Sequence, residues 1–149
     1  MNLGCLTKDS SVKENMHVIL DTLAIKTIAM FQSITQANVI DFYEADDEIF
    51  FVVSEGQMGF VLGKDGIKIK KAENRFKKRI RIFEFSENLE TFVKRMIPES
   101  QEVMIKDGNV KVRLKGSDRS RVIGKGGSRA HAMEHFVKRL HKAESFKVI

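Results

Sequence analysis

Two short segments of the sequence combine glycine and lysine in a spacing that suits the binding of a phosphate chain. Residues 61–66 (VLGKDG) and 122–127 (VIGKGG) share the pattern apolar-apolar-Gly-Lys-x-Gly. Glycine lets the backbone approach a phosphate–sugar chain closely, and a helix that begins at the loop directs free N–H groups toward an anion. Lys64 and Lys125 add point charges. The pattern predicts two clamps on a nucleic-acid backbone; the alternative is that each glycine only ends a helix in left-handed geometry.

Other chemistries fit these residues poorly. A nucleotide phosphate loop needs Gly-x-x-x-x-Gly-Lys-Ser/Thr, but Arg119 and Gly126 occupy the positions of its first glycine and its hydroxyl residue. A dinucleotide fingerprint fails because Arg129 stands where its third glycine belongs. Residues 131–135 (HAMEH) match the order of one zinc-protease class, but the sequence supplies no three-ligand site with an open position. We therefore expect no metal, no cofactor, no small-molecule substrate and no catalysis.

The charge of the chain is unevenly distributed. The net charge is +6 and the pI is near 9.5, which favours a polyanionic partner. Residues 27–63 contain six acidic and no basic residues, whereas residues 64–84 contain nine basic and three acidic residues. Residues 111–129 contain seven basic residues and one acidic residue. Each basic block surrounds one glycine loop, which is more specific than the total charge.

The compartment is indicated by two features of the composition. The single cysteine, Cys5, allows no intramolecular disulfide, which fits a reducing compartment. No apolar run approaches the roughly 18 residues that a membrane span needs. These features predict a cytoplasmic protein without a membrane partner.

The same order of elements is expected around each loop, at an offset of 61 positions (63 to 124). Hydrophobic periodicity predicts helices at about 22–32 and 88–97, and apolar stripes predict a further helix after each loop. Pro98 marks the end of the helix at 88–97. Strand-like runs complete each unit; they lie at about 38–43, 48–54, 79–85, 102–106, 109–115 and 145–149. The order is helix, strand, strand, helix, glycine loop, helix, strand, twice.

The two loop motifs resemble the signatures of KH domains. Because a helix and a strand precede the helix–loop–helix core, the resemblance is to the type II topology. The tandem arrangement, together with residues 20–22 (LDT), 51–53 (FVV) and 55–59 (EGQMG), is similar to the archaeal NusA-like transcription termination/antitermination factors. The resemblance implies an α+β fold with two tandem type II KH domains, each a three-stranded sheet covered by helices. It also implies that the two units pack as one rigid body with a continuous RNA path.

The resemblance further implies a single-stranded RNA-binding regulator of transcription termination or antitermination, with RNA polymerase as a possible second partner. We expect an N-terminal tail at 1–20, disordered, a first KH domain at 21–86 and a second at 87–149. The expected RNA-binding residues are Gly63, Lys64, Asp65, Gly66, Lys68, Lys71, Arg121, Gly124, Lys125, Gly126, Gly127 and Arg129. Asp65 should weaken the first loop by repelling phosphate. The alternatives are a KH adaptor in ribosome assembly or RNA processing, and a protein-docking module.

Overall fold

The chain forms two consecutive units of the same topology. The computed structural model describes the backbone of residues 11–149 and the side chains from Thr22 onward. The first unit contains α1 (Ser11–Thr35), β1 (Val39–Glu44), β2 (Glu48–Val53), α2 (Met58–Leu62), α3 (Ile67–Phe76) and β3 (Arg79–Glu84). The second contains α4 (Leu89–Met96), β4 (Glu102–Lys106), β5 (Asn109–Arg113), α5 (Gly116–Ile123), α6 (Ser128–His141) and β6 (Ser145–Val148).

The predicted order of elements is confirmed in both units, and the strands end within one or two residues of their predicted bounds. The first helix differs, because α1 begins at Ser11 and not near residue 22. Residues 11–21 contain neither glycine nor proline, so nothing in their sequence stops the helix from extending toward the N-terminus. Of the predicted tail at 1–20, residues 1–10 lie outside the described residues.

Local sequence signals fix the ends of the elements around the second unit. Asn88 caps α4, since its side-chain oxygen accepts a hydrogen bond from the backbone N–H of Thr91 at 2.9 Å. Asp107 and Gly108 both take positive φ, 52° and 79°, in the tight turn between β4 and β5. Positive φ at both central residues is the geometry of a type I′ hairpin, so these two strands are joined in a fixed register.

Each unit has a three-stranded mixed sheet, in the order β1-β2-β3 and β4-β5-β6. The first two strands of each sheet are antiparallel, whereas the second and third are parallel. Parallel neighbours need a crossover connection. The crossover consists of α2 and α3 in the first unit and of α5 and α6 in the second. Each glycine loop lies between the two helices of its crossover.

The two units stack into four layers in which helices and sheets alternate: α1 with α3, the first sheet, α4 with α6, and the second sheet. One face of the first sheet packs on α1 and α3 around Phe31, Phe51 and Ala72. Its other face, which includes Phe50 and Val52, shares a single core with α4, α6 and the second sheet. Every residue of β2 is buried. The expected packing of the two units against each other is thus present as a continuous hydrophobic core.

Polar contacts hold the short connection between the units. Ser86 is buried, and its carbonyl oxygen lies 2.8 Å from Nε2 of His141. The imidazole of His141 also stacks against Phe85, with ring centroids 5.4 Å apart. Arg95 donates a hydrogen bond to the carbonyl oxygen of Phe85 at 2.8 Å. The connection is therefore part of the packed interface.

Candidate nucleic-acid interface

The two glycine loops have the same backbone conformation. Gly63 and Gly124 have φ/ψ of 67°/−174° and 81°/172°. Two positions later, Asp65 (57°/27°) and Gly126 (63°/18°) are both left-handed, and each loop closes on a further left-handed glycine that precedes the next helix. The units thus present two equivalent turns at the starts of α3 and α6, as the sequence repeat predicts.

The first glycine of the second loop is required by close packing. A Cβ at Gly124 would lie 2.7 Å from Cγ and 3.0 Å from the backbone nitrogen of Arg129. At Gly126, by contrast, a Cβ would meet nothing within 4 Å, although its φ of 63° disfavours most side chains. Asp65 shows that aspartate can occupy this position of the loop. The loop therefore has one position closed to side chains and one that is open to solvent.

The lysines predicted to bind RNA differ in their surroundings. Lys64 and Lys71 are exposed, and the side chain of Lys125 is 92% exposed, with Nζ 3.8 Å from Asp47 in the turn between β1 and β2. Lys68 is half-buried. Its Nζ lies 3.4 Å from the carbonyl oxygen of Thr35, at the C-terminal end of α1. Lys68 thus stabilises the first unit by interacting with a helix C-terminus, whereas the other three ammonium groups face solvent.

The two arginines predicted to contact RNA are engaged in ion pairs. Arg121 lies on the surface of α5, with Nη2 3.1 Å from Glu99 and 2.9 Å from Asp118. Hydrogen bonds to Glu99 and then to Asp118 raise the pKa of the Arg121 guanidinium above its already high ordinary value. Arg129 donates a hydrogen bond to the carbonyl oxygen of Arg121 at 2.9 Å, which braces the helix end before the loop.

Arg129 also joins the two units through Glu48. The Glu48 carboxylate lies at the start of β2 and contacts Nε of Arg129 at 3.2 Å and Nε of Arg81 at 2.7 Å. Burial alone would raise the pKa of Glu48, but hydrogen bonds and charge from Arg129 and Arg81 outweigh burial and lower it. The ionised carboxylate is therefore the favoured form, and it ties the base of the second loop to the first sheet.

Replacing Glu48 with Gln is expected to lower the free energy of unfolding by about 2 kcal/mol at pH 7, since two partly buried guanidinium groups lose their counter-charge. A carboxyl whose pKa is lowered by folding contributes its full stabilisation at a pH above its pKa in the unfolded chain, which is near 4.3. This contribution is lost as the pH falls through the lower pKa of the folded state. The difference between wild type and Glu48→Gln should shrink in that acidic range. Urea unfolding of both proteins at pH 7 and below pH 4 measures this difference in the free energy of unfolding.

The control for this experiment is Glu90→Gln, which removes an exposed ion pair to Lys94 on α4. Exposed pairs of this kind contribute about 0.5 kcal/mol or less. Equal losses of stability for both variants would contradict the role assigned to Glu48.

Sequence reasoning missed that apolar side chains at the first loop are exposed: Phe60 and Ile67 on its two sides, and Leu62, which is 43% exposed, within the motif. Phe60 is 50% exposed and Ile67 is 64% exposed. Phenylalanine is one of the residues most often fully buried, as Phe31, Phe50 and other rings are in this chain. The sequence repeat could have revealed this exposure. Its offset of 61 positions aligns Phe60 with Arg121 and Ile67 with Ser128, and polar residues at the equivalent sites indicate exposed positions. The first loop is thus bordered by apolar surface and the second by polar surface.

The histidines of the HAMEH segment do not gather metal ligands. His135 lies against the first unit, with Nε2 3.6 Å from Asp41 and its ring 5.1 Å from that of Tyr43, whereas His131 is exposed. Among the residues the structure describes, no three His, Cys, Asp or Glu side chains come together as they would around a metal ion. Within the same residues, no helix combines the length and the apolar character of a membrane span.

The fold and the paired loops define the chain as two tandem type II KH domains. A comparison with family models agrees, since residues 26–94 match the KH domain. The solved structure of the protein APE1850 is 26% identical and aligns with a TM-score of 0.68 over 86% of this chain and 99% of that one.

Curated relatives narrow the class to one family. The protein named probable transcription termination protein NusA from Methanococcus vannielii is 36% identical over 140 residues, which cover 90% of this chain and 81% of the relative. The protein of the same name from Methanocaldococcus jannaschii is 29% identical over 138 residues, covering 89% and 75%. The chain belongs to the archaeal NusA family, and the resemblance drawn from its sequence is confirmed.

Proposed function

We propose that this protein binds single-stranded RNA in transcription termination, in the cytoplasm and without catalysing a reaction. The observation that carries the proposal is the pair of loops with matching backbone dihedral angles, each opening a helix beside exposed lysine. The relatives named as transcription termination proteins supply the process. RNA polymerase is the further partner that this process suggests.

The second loop is the stronger clamp in this proposal. Gly126 leaves the backbone uncovered on its outer side, and Lys125 projects into solvent where it can reach a phosphate. Free N–H groups at the start of α6 add to the attraction. In the first loop Asp65 occupies the position of Gly126, and its carboxylate repels phosphate. The exposed Phe60 and Ile67 there suit contact with unstacked bases.

Both units contribute to binding in this proposal, with the boundary between them placed at residues 86 and 87. If about four to six phosphates meet basic residues, the log–log dependence of affinity on salt should have a slope of roughly −3 to −4, at about −0.7 per contact. An RNA of about ten nucleotides should bind much more tightly than one of about four, the length that one KH groove holds. Fluorescence anisotropy with both lengths tests this, and equal affinities would mean that only one groove is used.

Crosslinking in cells tests the biological process. Recovery of nascent transcripts is the expected result for a termination factor. Recovery of ribosomal RNA would instead favour the alternative role in ribosome assembly, and recovery of no RNA would favour a protein-docking module.

A further inference from the structure

The outer face of the second sheet is the equivalent of a surface that is buried in the first unit. In the first sheet, Phe50 and Val52 point away from α1 and α3 and pack into the core shared with the second unit. The offset of 61 positions places Lys111 and Arg113 at the same two sites of the second sheet, and both are exposed. The outer face of the second sheet is therefore polar and basic, whereas the equivalent face of the first sheet is covered by apolar contacts.

Three lysines, Lys106, Lys111 and Lys147, cluster on this face. Lys111 pairs with Lys147 across the parallel strands β5 and β6, so two ammonium-bearing side chains are direct neighbours on one face. Lys106 lies on the adjoining strand. Among the residues the structure describes, none of the three forms an ion pair within 4.0 Å, whereas Arg113 contacts Glu102 at 3.1 Å. Like charges placed opposite each other destabilise a sheet, and a bound anion would remove that cost.

The same lysines border a shallow depression in the face. It has a volume of about 380 Å³ and is lined by Met104, Lys106, Asp107, Asn109, Lys111, Ser145 and Lys147. The described lining contains three lysines and Asp107, so its formal charge is +2. The side chain of Ser145 donates a hydrogen bond to Asn109 at 2.7 Å, which leaves the lysines as the groups available to a ligand.

We propose that this lysine face binds the phosphate backbone of base-paired RNA, as a second site separate from the glycine loops. Among the residues that the structure describes, no aromatic side chain lines the depression in this face for a base to stack on. Ammonium groups recognise phosphates as point charges. A duplex exposes its phosphates and hides its bases, which is the ligand such a surface can hold. Protein interfaces are depleted in lysine and enriched in aromatic residues and arginine, so an acidic protein fits the face less well. The proposed function supplies only the kind of nucleic acid.

The two sites should respond to different probes and different variants. Wild-type protein should bind a 20-base-pair RNA duplex of mixed sequence, and Lys111→Gln with Lys147→Gln should weaken this binding roughly tenfold and reduce the salt slope by about 1.8, at about 0.9 per phosphate contact. Binding of a ten-nucleotide single strand should change less than about twofold, because that strand is held at the loops. The matched control is Lys70→Gln with Lys77→Gln, which removes the same charge from exposed lysines of the first unit and should leave duplex binding unchanged.

Three outcomes would overturn this assignment. The duplex does not bind, the control pair weakens duplex binding as much as the Lys111 and Lys147 pair, or a polyglutamate peptide displaces the duplex at lower concentration than a matched RNA does. The last result would identify the face as a site for an acidic protein. Failure of the proposed function would give a different result: the wild-type protein would not bind the ten-nucleotide single strand.

Discussion

Replacing Lys125 and Gly126 together with Asp is expected to lower the affinity for single-stranded RNA by about 100-fold. The two changes alter the charge beside the bound phosphates by three units, and each unit contributes about 1 kcal/mol at close range in water. The fold should survive, because a Cβ at Gly126 meets nothing within 4 Å and aspartate already occupies the equivalent position in the first loop. Anisotropy titration measures affinity, and urea unfolding should show a loss of about 1 kcal/mol or less.

The reciprocal change in the first loop is the matched control. Asp65→Gly removes one negative charge and a left-handed aspartate, so RNA affinity should rise about fivefold while stability is unchanged or slightly higher. Gly124→Ala is unsuitable as a binding test, because its Cβ would press on the backbone of Arg129. A folded Lys125→Asp, Gly126→Asp variant with wild-type affinity would contradict the assignment of the loops.

Phe50→Lys is expected to destabilise the whole molecule by at least about 4 kcal/mol. The substitution removes a fully buried ring from the core shared by the two units and places an ammonium group between them. Since small proteins are stable by only about 5–15 kcal/mol, this would remove a large fraction of the free energy of unfolding. Both units should lose structure in one transition, because the second unit's helices form part of the same core.

The control for Phe50→Lys is the inverse change at the equivalent site, Lys111→Phe. Lys111 is exposed, so the free energy of unfolding should change by about 0.5 kcal/mol or less. Circular dichroism in urea measures both variants. Two separate unfolding transitions in Phe50→Lys, with the second unit retaining wild-type stability, would show that the units fold independently.

The order of elements could be predicted because each one carries a local signal. Hydrophobic alternation marks β5, the cap at Asn88 marks the start of α4, and the glycine pattern marks the loops. The left-handed turns of the loops fall on the same glycines, except at Asp65 in the first loop. Each of these signals depends only on a few residues that are neighbours in the sequence.

Contacts between distant residues could not be predicted in this way. The sequence predicts a single apolar stripe on the helix after the second loop, but Ala132, Met133, Phe136 and Val137 are all buried, because α6 packs between two sheets. A single periodic stripe describes a helix with one covered face. The ion pair between Arg129 and Glu48 joins residues 81 positions apart, so no local pattern reveals it.

The shared core also has a consequence for biosynthesis. The ribosome completes the first sheet before α4 and α6 exist, so the face with Phe50, Val52 and Phe83 emerges without its cover. At about 5–20 residues per second, the remaining chain takes several seconds to appear. During that interval the nascent protein exposes an apolar surface, and exposed surface of this kind promotes aggregation until α4 and α6 cover it.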